Sequence, residues 1–173
     1  MPWRMSHRAD PRARDLADRH YNRQKVGSPQ FVPPGRCLVL YAETDTGRAF
    51  WVTSWPFAEY VRHEWAGAWM CSAFRNEGAG WASNLIASAL AATRAHFGEP
   101  PALDLVTFLD ERQVRPIKVR GVPTYGWTWR LAGFRVVGRT KGGLLAMQCP
   151  PEDMPAAAPA LGAQGALLFG GAA

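Results

Sequence analysis

Phe74-Arg75-Asn76-Glu77-Gly78-Ala79-Gly80 stands between two segments of different periodicity. Before it, Ala68-Trp69-Met70-Cys71-Ser72-Ala73-Phe74 reads as a strand, because Gly67 precedes the run and a glycine-rich turn follows it. After it, Trp81, Leu85, Ile86, Ala89, Leu90, Thr93 and Phe97 keep helical spacing until Gly98-Glu99-Pro100-Pro101 stops them. Residues 103–109 then form a short, nearly continuous apolar run, as expected of a buried parallel strand. Strand, glycine turn, helix and strand make one βαβ unit, expected to be right-handed. Glycines in such a turn let backbone N–H groups approach a pyrophosphate at the helix N-terminus. Any tight strand-to-helix turn also uses glycine, so the turn alone leaves anion binding and plain geometry equally open.

Working outward, Cys37–Tyr41 and Ala49–Thr53 flank Asp45-Thr46-Gly47 and predict an antiparallel hairpin. Ala13, Leu16, Ala17, His20 and Tyr21 recur at helical spacing, which predicts an amphipathic helix over 11–24 opened by Asp10-Pro11. Residues 56–66 fit no single pattern. A short helix around 124–132 and strands at 134–137 and 144–148 complete the core. The expected fold is a single α/β domain over 1–149, with a mixed, partly antiparallel central sheet flanked by helices. The Ala-, Gly- and Pro-rich run 150–173 reads as a disordered tail.

The 173 residues are 47% hydrophobic and carry a net charge of +6, enough for one core and little more. No run of 18 apolar residues and no apolar leader occur, so a membrane partner and classical secretion are not expected, and the chain reads as cytoplasmic. Cys37, Cys71 and Cys149 have no metal-finger spacing and fit ordinary thiols in a reducing compartment. Charge is unevenly placed. Residues 1–36 are basic and residues 37–111 acidic, while residues 112–141 hold eight basic side chains and no acid.

Arg75-x-x-Gly78-x-Gly80 resembles the R/Q-x-x-G-x-G/A loop of the GNAT N-acyltransferase superfamily, which binds acetyl-CoA between a strand and a helix. Trp129-Arg130-Leu131-Ala132-Gly133-Phe134, followed by Gly138, resembles that superfamily's late Y-x-x-x-G-F segment. The resemblance covers about two thirds of the chain, and with the order of elements it implies a GNAT-like sheet. It assigns acetyl-CoA to Phe74, Arg75, Asn76, Glu77, Gly78, Ala79 and Gly80, with Ser83 and Asn84 in the first helical turn as phosphate ligands or helix caps. One departure stands out: Trp129 occupies the place of a tyrosine that protonates the leaving thiolate, and an indole cannot do so.

A second likeness is to the Mom-type branch of that superfamily, phage proteins that modify adenine in DNA. It rests on the pair His20-Tyr21 and on Asp110 after the strand at 103–109. It implies a nucleic-acid base as acceptor, acetyl from CoA as donor, and a possible catalytic iron.

Each candidate has a plainer account beside it. His20 is a general base or metal ligand, or a core histidine satisfied by a carbonyl; Tyr21 is a proton donor or stacking ring. Asp110 lies at the ligand end of a parallel strand, or is a turn residue paired with Arg112 or Arg115. Arg112, Arg115, Lys118, Arg120, Arg139 and Lys141 are the residues read as binding a nucleic-acid backbone, DNA being favoured, with Tyr125, Trp127, Trp129 and Phe134 interleaved as stacking surfaces. A solvated basic face is the alternative. Three functions follow: base modification, ordinary N-acetylation of a small amine or peptide, and nucleic-acid binding on a degenerate GNAT scaffold.

Overall fold

The structure is a computed structural model that describes residues 2–56, 59, 61 and 63–163. It is an α/β domain built on one mixed sheet of seven strands. A short β1 (Arg4–Ser6) forms one edge and pairs antiparallel with β2. The predicted hairpin is longer than its apolar core: β2 spans Arg36–Thr44 and β3 spans Gly47–Trp55, paired antiparallel through every residue between Arg36↔Trp55 and Thr44↔Gly47.

The βαβ unit comprises β4 (Trp69–Glu77), α2 (Ala82–Phe97) and β5 (Leu105–Leu109), with β4 and β5 parallel. Strand β4 therefore runs three residues beyond Phe74. Phe74, Arg75, Asn76 and Glu77 are strand residues, and only Gly78 to Trp81 form the turn. Beyond β5 a separate two-stranded hairpin, β6 (Ile117–Val119) and β7 (Val122–Thr124), precedes α3 (Trp127–Leu131). The large sheet is completed by β8 (Arg135–Arg139) and β9 (Leu145–Cys149), the latter antiparallel to β5, which gives the strand order β1-β2-β3-β4-β5-β9-β8.

Strand alternation divides the apolar residues between two faces. Leu38, Leu40, Trp51, Trp69 and Met147 pack with Leu85, Ile86 and Leu90 of α2 and with Trp129 of α3. On the other face Val39, Tyr41, Phe50 and Val52 meet Ala13, Leu16 and Ala17 of the first helix, α1, which spans Pro11–Asp18. Further along that face Trp65 and Ala68 cover Val106 and Ala146.

Helix α1 stops at Asp18, six residues short of the predicted end. The Arg19 N–H caps Leu16 and Ala17, and Arg23 then pairs with Asp18 while donating to the carbonyls of Ser28 and Gln30. These bonds satisfy the chain in a loop, so His20 and Tyr21 leave the helical stripe.

The expected tail is folded as far as it is described. Met154 and Ala160 are buried in the core beside α2 and α3. Ala158 N–H donates to Ala91 O (3.1 Å), Met5 N–H to Leu161 O (2.8 Å), and Leu161 N–H to Trp3 O (2.9 Å). A proline-spaced segment with few apolar residues still forms a strap when each of those residues meets a ready-made hollow. Residues 164–173 lie outside the described residues. Cys37, Cys71 and Cys149 are unpaired thiols. No described helix is long and apolar enough to cross a membrane.

Candidate functional site

Strands β4 and β5 pair at only three positions, Trp69↔Leu105, Met70↔Val106 and Cys71↔Thr107. The next residue of β4 is the cause of their parting. Against β3, Val52 pairs with Ala73 and Thr53 with Cys71, so Ser72 is an extra residue in the ladder, a β-bulge. A bulge bends its strand and interrupts pairing. From Ser72 and Phe108 onward the two strands diverge and leave a cavity of about 100 Å³, with Trp129 and Val114 on the α2 side and His20, Tyr21 and Asn22 on the α1 side.

The loop after α1 supplies the groups that meet this gap. Asn22 Nδ2 donates to Ser72 O at 2.5 Å, taking the carbonyl that the bulge turns out of the ladder. Tyr21 Oη donates to Phe108 O on the opposing strand at 3.4 Å. His20 stacks on Tyr21, with ring centroids 4.6 Å apart, and its Nδ1 lies 2.5 Å from Asn22 Oδ1. The Asn22 backbone N–H also donates to Nδ1 at 3.3 Å, so Asn22 holds this edge of the ring from two sides, with Nδ1 acting as donor to Oδ1 or acceptor from N–H according to the tautomer. Burial lowers the imidazole pKa despite Asn22 and the Phe74 carbonyl, which favour the charged ring; His20 is therefore neutral at pH 7. Burial likewise raises the Tyr21 phenol, which stays protonated. A neutral base and a phenolic acid thus share one cavity. They line a larger cleft of about 540 Å³ that continues past Met70, Phe108 and Leu144.

Asp110 reaches the same end of β5, but its carboxylate is committed. Arg112 donates from Nε to Oδ1 (2.8 Å), from Nη2 to Oδ2 (2.9 Å) and from its backbone N–H to Oδ1 (3.1 Å), and these contacts lower the Asp110 pKa. The turn and ion-pair account of Asp110 describes the geometry. His20 and Tyr21 converge on the cavity; Asp110 meets Tyr21 through its backbone, and its carboxylate acts on the phenol through charge alone.

The glycine turn lies six residues along β4 from Ser72, roughly 20 Å at strand rise. Its members divide by face. Phe74 packs on Trp51 and Trp129 in the core. Arg75 and Glu77 point to the α1 side, where Arg19 forks onto Glu77 (2.9 and 2.8 Å) and Arg75 donates to Glu77 and to Arg19 O. Arg19 first, and then Arg75, outweigh burial and lower the Glu77 carboxyl to about 2. Both residues thus tie β4 to the end of α1.

Asn76 builds the turn: Oδ1 accepts from Ala79 N–H (2.9 Å) and Nδ2 donates to Gly80 O (2.8 Å). Thr46 Oγ1 donates to Gly78 O (2.7 Å), so the β2–β3 turn closes one side. A Cβ on Gly47 would come 1.9 Å from Glu77 O, which explains the glycine there. A Cβ on Gly80 would meet nothing within 4 Å. The open surface is therefore Gly80, the 81% exposed Trp81 and Asn84. Ser83 and Asn84 make no cap bond to α2, whose N-cap is Trp81.

The basic block is only partly available. Arg112 is held by Asp110, Arg139 by Glu111 and Arg135 by Asp153. Arg115, Lys118, Arg120 and Lys141 are exposed and form no ion pair among the described residues. Trp129 and Phe134 are core residues rather than stacking surfaces, and Tyr125 packs partly on that core. On the cleft side, His63 and Trp65 sit edge-on to Phe108, at 5.1 and 5.6 Å, an aromatic group that no sequence pattern singles out.

Among the described residues, no group of three or more His, Cys, Asp or Glu side chains is placed to hold a metal ion. His20 and Tyr21 offer one imidazole and one phenol, and the Asp110 carboxylate faces Arg112 instead. The iron implied by the resemblance does not fit these donors. No family model, curated protein or solved structure matches the chain.

Proposed function

We propose that this protein is an acyltransferase of GNAT type that carries an acetyl group from acetyl-CoA to an amino group of a nucleic-acid base. The observation that carries this reading is the bulge-driven parting of the parallel pair β4 and β5, with a neutral histidine and a protonated tyrosine in the gap. The strand order supports it, since a GNAT-like sheet also has an antiparallel meander leading to one parallel pair. Acetyl-CoA supplies a thioester whose carbonyl carbon the acceptor nitrogen attacks as the carbon–sulfur bond breaks. The His20 imidazole takes the proton released by the amine, and Asn22 and the Phe74 carbonyl stabilise the charged ring. Tyr21 replaces the missing tyrosine at 129 as the donor to the departing thiolate, regaining its proton from His20, so that the transfer balances.

The anionic end of the donor is assigned to Gly80, Trp81 and the first turn of α2, a smaller surface than residues 74–84. The cations Arg115, Lys118, Arg120 and Lys141, unpaired among the described residues, favour a polyanionic acceptor over a small amine.

Mass spectrometry of nucleosides from cells expressing the chain tests the reading. An acylated base is expected, lost in His20→Ala and Tyr21→Phe variants that remain folded. Unmodified nucleosides together with acetylation of a small amine would establish ordinary N-acetylation instead. A second reading, nucleic-acid binding without catalysis, draws on the core position of Trp129 and on the Ala79 N–H already taken by Asn76. Failure of calorimetry to detect CoA binding would favour it.

A further inference from the structure

The β6–β7 hairpin has no β-partner among the described residues and none of its six strand residues is buried. Isolated two-stranded ribbons are marginal in water. The register places Ile117, Val119, Val122 and Thr124 on one face, with Ile117 and Val122 49% and 62% exposed, and Lys118 beside Pro123 on the other. At the tip, Arg120 and Gly121 both have positive φ, 49° and 82°. A two-residue turn of this kind favours Asn, Asp or Gly at its first position. An arginine there bears a conformational cost, and it sets a guanidinium at the farthest point of the hairpin. Strain kept at an exposed tip points to a role for the side chain.

Both stems of the hairpin return to the site. Val114 leads into β6 and Trp129 follows β7, and both line the cavity between β4 and β5. The hairpin is therefore an arm rooted at the rim of the cleft. Arg115 at its base, Lys118 on its strand and Arg120 at its tip are exposed cations in a segment that contains no acid between Arg112 and Lys141.

We propose that the β6–β7 hairpin is a recognition arm that enters the major groove of duplex DNA beside the cleft. Two strands about 4.8 Å apart with their side chains match the roughly 12 Å width of the B-form major groove, whereas the major groove of duplex RNA is too narrow and deep. Arg115, Lys118 and Arg120 contact phosphates, and Ile117 and Val122 lie against thymine methyl groups on the groove floor. The proposal rests on the nucleic-acid part of the function above.

The test compares the wild-type chain with Arg120→Asn, which suits the turn and keeps it folded, and with the triple variant Arg115→Gln, Lys118→Gln, Arg120→Asn. Each is titrated by fluorescence anisotropy with a short DNA duplex, the matching RNA duplex and single-stranded DNA over a range of salt. Wild type is expected to prefer duplex DNA. In the triple variant the slope of log affinity against log salt should fall by about 2 to 3, near 0.9 for each phosphate that is no longer neutralised. Unchanged affinity and slope in the triple variant, with wild type still binding DNA, overturns the arm alone. Absence of any nucleic-acid binding by wild type at low salt overturns the nucleic-acid reading as well. A shift in oligomeric state of the triple variant in sedimentation, without loss of DNA affinity, assigns the hairpin to a contact between copies and overturns the proposal.

Discussion

Asn76 gives the most direct test of how the glycine turn is held and what it holds. In Asn76→Ala the turn loses two hydrogen bonds of 2.9 and 2.8 Å. Each is worth about 1 kcal/mol net, and the N–H of buried Ala79 is left without a partner, a penalty of about 1–2 kcal/mol more. Thr46 still grips Gly78 O, so the loss should be about 3 kcal/mol rather than unfolding. Asn76→Asp keeps the bond from Ala79 N–H and forfeits only the donor to Gly80 O, costing about 1–2 kcal/mol. It also sets a negative charge at the turn, worth about 1 kcal/mol or more of repulsion toward a pyrophosphate at a half-exposed site. CoA affinity should fall roughly five- to ten-fold. Urea unfolding followed by tryptophan fluorescence measures the first quantity and calorimetry the second. A cost under about 1 kcal/mol for the alanine would show that Asn76 does not hold the turn. Unchanged CoA affinity in the aspartate variant would place the anion elsewhere.

Acid should destabilise the fold in two stages. His20, His63 and His96 have pKa values lowered by burial, so the stability they contribute is present above 6.5 and declines as pH falls below it. Urea midpoints at pH 7 and pH 5 check this, and His20→Gln should shrink the difference. Glu77 and Asp10 are both held at about 2, the former chiefly by Arg19, the latter because bonds from Arg12 and Ser6 outweigh burial. Their contribution is present above the ordinary values of 4.5 and 3.8 and is lost as pH approaches 2, a second loss that circular dichroism should record. Met154→Ala should cost about 2–3 kcal/mol in chemical unfolding, the lower part of the range for a buried methionine because one wall is a strap able to settle inward. A cost below about 0.5 kcal/mol, typical of surface positions, would mean the strap does not pack in solution.

The βαβ unit and the central hairpin were legible because their signals are local: apolar runs, glycine stops and a helical period from Trp81 to Phe97. The end of α1 was not, since Ala13 to Tyr21 hold a perfect stripe while the stop comes from Arg23 bonding Asp18 and the carbonyls of Ser28 and Gln30 in the loop that follows, a pattern with no periodicity. His20 and Tyr21 line the cleft all the same, brought there by a loop rather than a helix. Ser72 was invisible, because a bulge is a mismatch of two strands and no one segment encodes it. Asp110 and Arg112, two residues apart, satisfied each other locally, as their spacing allowed. The hairpin at 117–124 passed unseen because its strands are only three residues long and its Arg120-Gly121 turn lacks the usual asparagine.

The contact of Leu161 with Trp3 and Met5 bears on how the chain is born. Strand β1 leaves the ribosome before the other six strands of its sheet, yet among the described residues its outer edge is covered by Leu161, made 156 positions after Met5. At about 5–20 residues per second, that edge waits roughly 8–30 s. During the interval it is a short open template, beside a nascent sheet, for any other unpaired strand. Translation arrested before residue 161 would therefore release chains that hold most of their core and still adhere to one another along β1.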